Sequence, residues 1–227
     1  MIYAAARRRA AVISATAACL ALSACGEAGP LTQDQVEKAL LTEATIPVKG
    51  WTAGAPNHVA PEKDVSGIGA LLGDNSGVNQ ACQGALTAFS GGLPTPQGFG
   101  TVSFTHAGDG PLGPHELVVT VRSFADETPE IPSGRQAVQD CPSFTIDKAG
   151  QQLAVTMESP GYDIPDSQAL GLDLTSGDQH ARLDLLRVRR GSSLVTASLT
   201  GPNGKTNHDI LDAVIKAQLD QIKRVSD

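Results

Sequence analysis

Chemistry in this chain has to come from a small set of side chains: four Cys and five His among 227 residues, with 24 carboxylates beside them. His106, Asp109 and His115 bracket a Gly- and Pro-rich stretch, and across a hairpin they could converge as metal ligands with open positions. That arrangement needs both imidazoles on one side of the loop. Solvated histidines are the better account, and no metal site is expected. Asp163, Asp166, Asp173 and Asp178 are dispersed and lack the compact alternation of a Ca²⁺ loop, so they read as solubilising surface. The run Gly73-Asp74-Asn75-Ser76-Gly77 superficially suggests a nucleophile turn, but the Gly-x-Ser-x-Gly spacing is missing and no strand plainly feeds it. A polar loop is the expectation there. The sequence also holds no phosphate loop, dinucleotide fingerprint or His-Glu-x-x-His. No catalytic residue and no cofactor is therefore expected, and the chain reads as a non-enzyme.

The cysteines say more. Arg7, Arg8 and Arg9 precede an apolar stretch, Ala10 to Ala24, of about 15 residues, short of the roughly 20 that span a bilayer. Residues 1–24 thus read as an export signal. The stretch ends in Leu22-Ser23-Ala24-Cys25, which resembles the lipobox of bacterial lipoproteins. In that family the small residues admit the peptidase, and the Cys thiol is alkylated by a diacylglycerol before cleavage ahead of it. The resemblance implies lipidation at Cys25 and a short tether over 25–31. It also implies the membrane as a partner and a lipid-anchored position on the extracytoplasmic face of the cell membrane. Two acyl chains exceed what a single chain gives, at roughly 0.8 kcal/mol per buried methylene. The alternative is a plain secretory cut within Ala21 to Ala24, leaving Cys25 an ordinary residue. Either route exports the remainder.

Export fixes the reading of the other thiols and of the charge. Cys19 leaves with the signal and Cys25 is taken by lipid, which leaves Cys82 and Cys141. Outside the cytoplasm an even pair reads as one disulfide, closing a loop whose entropy stabilises the fold by about 4 kcal/mol. A redox pair or two metal thiolates are the rivals, but neither Cys belongs to a C-x-x-C and two ligands do not make a zinc site. Loss of residues 1–24 removes three Arg and no acid, leaving 14 basic against 24 acidic residues. Nucleic acid is a poor partner for that balance. The dense basic run that remains, Arg187, Arg189 and Arg190, reads as a solvated strand end rather than an anion site.

The elements that would position these residues follow from periodicity. Thr32 can cap a helix carrying Val36, Leu40 and Leu41. Residues 42–64 are rich in Pro, Gly and polar groups around Trp51, the only Trp, read as a packing anchor. Val78 to Phe89 suits a second helix that turns Cys82 inward. Strands are expected from Thr101 and over 116–124, paired as a hairpin, followed by a helix over 132–140 that runs into Cys141. The disulfide would pin that helix to the second one. Further strands are expected over 151–159, 169–175, 180–188 and 194–199, the last two joined at Gly191-Ser192-Ser193. Leu170, Leu172 and Leu174 could line a pocket or pack under the C-terminal helix, and core is the expected role. Residues 207–225 form an amphipathic helix whose Ile210, Leu211, Val214, Ile215, Leu219 and Ile222 should lie on the sheet. The expected fold is a single α+β domain over 32–227. It has an antiparallel sheet of about five to six strands, packed by N-terminal helices and a C-terminal amphipathic helix.

Several of these residues together define a resemblance. Gly50-Trp51 after an N-terminal helix, Cys82 on an early helix, Val119-x-Val121-x-x-Phe124, and a helix ending in Cys141-Pro142-Ser143-Phe144 are arranged as in a known family. They resemble the exported sensor-domain lipoproteins of actinobacteria, a family similar to the extracytoplasmic sensor domain of a mycobacterial Ser/Thr kinase. Members often carry two disulfides, whereas this chain can form one. The resemblance lends fold and location more than chemistry. The anchor, acidic surface, long Gly/Pro loops and lack of a reaction site fit a non-enzymatic ligand-binding or sensing module of the cell envelope, its ligand a small molecule, lipid or protein. The alternative from the residues is a lipid or lipoglycan carrier, which would require an apolar cavity larger than ordinary packing voids.

Overall fold

The structure is a computed structural model that describes residues 29–60, 78–90, 93–107, 115–126, 128–148, 151–201 and 204–226. Cys25, the lipobox, Gly73 to Gly77 and Asp109 lie outside the described residues.

The first helix, α1 (Gln33–Ala39), starts where the hydroxyl chemistry of Thr32 predicts. Thr32 Oγ1 accepts the Gln35 N–H and Gln35 Oε1 accepts the Thr32 N–H, a reciprocal pair that satisfies two otherwise orphaned donors. The Gln33 side chain then accepts from Phe99 N–H and donates to Phe99 C=O, docking α1 on the sheet. Next come β1 (Thr52–Ala53), α2 (Gln80–Ser90), β2 (Gly98–His106), β3 (His115–Ser123) and α3 (Gly134–Asp140). β4 (Ser143–Lys148), β5 (Gln151–Glu158), β6 (Ser167–Ser176), β7 (Gln179–Arg190), β8 (Ser193–Gly201) and α4 (Gly204–Ser226) complete the order.

All strands pair antiparallel in one sheet of order β1-β2-β3-β8-β7-β6-β5-β4. It is two meanders, β1–β3 and β4–β8, closed on each other where β8 pairs with β3. The β7–β8 turn is Gly191-Ser192, with Gly191 at φ 55°, a conformation glycine reaches without steric cost.

Eight strands replace the five to six expected. The extra ones are β1, two residues long within the Pro- and Gly-rich stretch, and β4, directly after Cys141-Pro142. β1 is held by pairing with β2 rather than by its own propensity, so its residues carry no periodic signal. β4 does carry one, because Phe144 and Ile146 alternate with polar residues.

Side-chain alternation along the strands splits the interior in two. On one face Val102, Phe104, Leu117, Val119, Val121, Leu186, Val188, Val195, Ala197 and Leu199 pack under α1 and α4, with Trp51 included as the anchor the sequence suggests. The α4 stripe Leu211, Val214, Ile215 and Ile222 is fully part of that core. Gln218, buried among them, donates to Ala39 C=O and accepts from Leu41 N–H, tying α4 to the end of α1.

On the other face Phe144, Ile146, Val155, Met157, Leu183 and Leu185 pack beneath α2 and α3. Leu170, Leu172 and Leu174 belong to this second core. They do not lie under the C-terminal helix, because even-numbered residues of β6 face away from it. α3 approaches the sheet at Gly134, where a Cβ would stand 2.0 Å from the Ala169 carbonyl oxygen.

Candidate functional site

Cys82 and Cys141 form the disulfide expected of them, with Cα atoms 4.8 Å apart, at the centre of the second core between α2 and α3. Both are buried, Cys82 on an inward face of α2 and Cys141 at the C-cap of α3. This is structural sulfur, placed among Leu86, Phe89 and Val155 rather than in a cleft.

Arg187 corrects the reading of the basic run. It is 1% exposed, its guanidinium sits over the Phe89 ring at 5.2 Å, and Nη1 donates to the Phe89 carbonyl. Phe89 lies in the last turn of α2, so Arg187 places its charge at the negative end of a helix dipole. Arg189, two residues on, is part-exposed and 4.0 Å from Asp166.

The largest polar assembly is on the opposite face of the same strand. Arg182 and Asp184 are two apart on β7, so both side chains point toward α4, and they are 3% and 2% exposed. Arg182 Nε and Nη2 donate to Asp184 Oδ1 at 2.9 and 2.7 Å. Nη1 donates to Asp173 on β6 at 2.5 Å, and Nη2 also donates to Glu158 on β5. From α4, Asn207 Nδ2 donates to the other Asp184 oxygen at 2.8 Å. The guanidinium lies flat across β6 because Gly171 leaves room: a Cβ there would stand 1.9 Å from Nη2.

Burial works against the Arg182 charge, but the Asp184 hydrogen bonds and field, with Glu158 and Asp173, outweigh it and hold the guanidinium protonated more firmly than usual. Asp173 therefore departs from the expected role of free solubilising acid. It is half-exposed, but its carboxylate belongs to this cluster.

Beside the cluster, the Tyr162 ring stacks on His208 of α4 with centroids 4.1 Å apart and planes 11° from parallel. His208 Nε2 lies 3.0 Å from the Gly161 carbonyl. The Tyr162 hydroxyl is buried with no hydrogen-bond partner among the described residues. Burial first, and the Asp184 carboxylate second, push its ionisation well above the ordinary phenol range.

The histidines of the first hairpin are brought together. His106 and His115 are direct cross-strand partners at the end of β2–β3 where the chain passes from one strand to the other, with ring centroids 6.2 Å apart and planes 17° from parallel. Trp51 packs on the far side of His106 at 5.4 Å. Strand parity puts Trp51, His106, His115, Arg182 and Asp173 on the α4 face. Register puts them at the same end of the sheet, since Glu116 pairs Thr200 and Arg182 pairs Gly201. A polar and aromatic band thus crosses that end of the sheet.

The donors of Arg182 are directed at carboxylates. The hydroxyl–imidazole contact Thr175–His180, at 3.4 Å, is on an exposed hairpin, and His180 has no carboxylate behind it among the described residues. The described residues also contain no group of three or more His, Cys, Asp or Glu that could enclose a metal. None of their helices is long and apolar enough to cross a membrane.

Sequence reasoning missed the Arg182 cluster and the burial of Arg187. The signal was in β7, where Arg182 and Asp184 alternate among Leu183, Leu185, Leu186 and Val188, apolar residues that occupy both faces of the strand. A charge pair in a doubly covered strand has to be buried together.

The described architecture, a single antiparallel sheet of two meanders with helices on both faces and a disulfide between two of them, is an α+β fold. It is shared with the extracellular domain of PknH from Mycobacterium tuberculosis, at a TM-score of 0.50 and 14% identity. That match covers 87% of this chain and 98% of that one. The Rv0999 ortholog from Mycobacterium smegmatis is also similar, with a TM-score of 0.43, 13% identity, and coverage of 75% and 90%. No protein-family model matches the sequence, and no curated protein matches it. At these identities the likeness is one of fold, and at that level the resemblance read from the sequence holds.

Proposed function

We propose that this chain is an extracytoplasmic, non-enzymatic sensing or ligand-binding module of the cell envelope, tethered through a diacylglycerol on Cys25. The observation that carries the reading is the overlap of 87% of this chain with 98% of the extracellular domain of PknH. What is shared is a whole domain rather than a common fragment. The buried Cys82–Cys141 bridge suits an oxidising compartment, and the described polar groups bind one another instead of forming a nucleophile–base pair. The carrier alternative draws no support from Leu170, Leu172 and Leu174, which pack in the second core instead of lining a cavity.

Native mass spectrometry of the protein, exported with its own signal and gently extracted from a related envelope, tests the proposal. Titration with envelope extract fractions should yield a saturable complex whose ligand is recovered chemically unchanged. Turnover of the ligand would overturn the non-enzymatic reading. A lipid-sized adduct beyond the N-terminal lipid, surviving purification, would replace it with the carrier.

A further inference from the structure

The hairpin β2–β3 ends in two imidazoles that face each other across the strand pair. His106 and His115 are opposed in register, on one face of the sheet, both half-exposed. Neither ring nitrogen has a hydrogen-bond partner among the described residues. Opposed residues in an antiparallel pair hold their Cβ atoms about 4.5–5.5 Å apart. A metal–imidazole bond is about 2.0–2.1 Å, so one cation can be reached by two nitrogens roughly 3–4 Å apart. The rings, at 6.2 Å between centroids, need only turn about χ2, a broad two-fold torsion, to converge. The backbone does the expensive part of the work, because register alone fixes where the two side chains start.

His106 is also held from behind. Trp51 packs against its ring at 5.4 Å, and Gly50 closes on its Cδ2–Nε2 edge, where a Cβ would lie 3.1 Å from both atoms. His115 lies on the opposite side of that ring. The partial exposure of both leaves positions for water on a bound ion.

We infer that His106 and His115 form a two-imidazole site for Cu(II), with water completing the coordination. Neutral imidazole is a borderline donor suited to Cu, Ni and Zn, and the ordering of divalent affinities makes Cu(II) the tightest of them. Each nitrogen donates a lone pair, and no bond of the protein is made or broken. Asp109 takes no part in the assignment, which rests on the register of the hairpin and is independent of the sensing proposal.

Trp51 makes the site directly readable, since it is the only tryptophan in the chain and touches His106. Cu(II) added to the full-length protein should quench Trp51 fluorescence saturably at one equivalent, with recovery on chelation by EDTA. Removing an outer-shell partner of a metal ligand alone typically weakens binding about 10–100-fold, so losing one of two ligands should cost at least tenfold. His115→Gln, which leaves the Trp51 contact in place, should show that loss, as should His106→Gln. His180→Gln, on an exposed turn of β7, should not. Unchanged metal-free emission in His115→Gln shows that the variant is folded. Electron paramagnetic resonance of the Cu(II) protein should show coupling to two imidazole nitrogens. Quenching that is non-saturable or survives His115→Gln, or a spectrum with one coordinated nitrogen, would overturn the site.

Discussion

Arg182 shows how one buried charge organises its surroundings. Its guanidinium joins β5, β6 and β7 through Glu158, Asp173 and Asp184, and Asp184 passes the connection to α4 through Asn207. Glu158 and Asp173 are half-exposed and contribute little by themselves. Asp184 is different, since without Arg182 it would be a buried carboxylate with only Asn207 to satisfy it. Arg182→Met should therefore destabilise the protein by about 3–5 kcal/mol, whereas the double variant Arg182→Met with Asp184→Leu should recover most of that loss in urea unfolding. Equal destabilisation by both variants would show that the charge balance is not what matters.

Tyr162 gives a second test at this scale. Its hydroxyl is buried and its ionisation is held above the ordinary value, so the unfolded chain loses the proton first, near pH 10. The Tyr162 contribution to stability is therefore intact below about pH 10 and falls as pH rises towards the folded value. Tyr162→Phe keeps the stack on His208 and removes the unpartnered hydroxyl. Neutral-pH stability should change by no more than roughly 1 kcal/mol, and the alkaline decline should flatten. A domain lacking residues 1–24 keeps Tyr162 as its single tyrosine, so its phenolate absorbance reports this group alone, and a midpoint at the ordinary value would refute the burial argument.

At the scale of elements, legibility followed local chemistry. Thr32 marks the start of α1 because a hydroxyl at that position satisfies orphan N–H groups. The Gly191 turn fixes the β7–β8 hairpin, and the α4 stripe is visible in its period of Ile, Leu and Val. What depends on neighbours was not legible. β1 exists because β2 offers it an edge, and the sidedness of Leu170, Leu172 and Leu174 depends on which helices cover which face.

The α2–α3 pair is a case where a covalent bond joins two such local elements. Neither helix is long, at 11 and 7 residues, and the Cys82–Cys141 bridge spans a sequence separation of 59. Replacing both cysteines by serine should cost about 2–5 kcal/mol, because the unfolded chain regains the loop's freedom and two hydroxyls enter an apolar core. Peptide maps with and without reductant check the bond itself. Two alkylatable thiols in the native protein would disprove it.

At the scale of the whole molecule, two cores on opposite faces of one sheet explain how a fold can persist at 14% identity. Each face needs apolar residues of adequate volume at alternate positions, and many sequences meet that requirement. The same tolerance explains why the fold leaves the ligand unspecified. Its buried apolar residues serve packing, which by itself names no ligand. In the proposed function, position in the cell would depend on a different part of the chain, the segment ending in Cys25. If Cys25 carries the lipid, anchoring is a property of one sulfur atom and is separable from folding. Cys25→Ser should then release the protein from the membrane fraction with its melting temperature unchanged. Wild-type protein should resist high-salt washing, since salt screens charge attraction but leaves acyl burial intact. Persistence of the serine variant in salt-washed membranes would transfer the anchoring role from Cys25 to the domain surface.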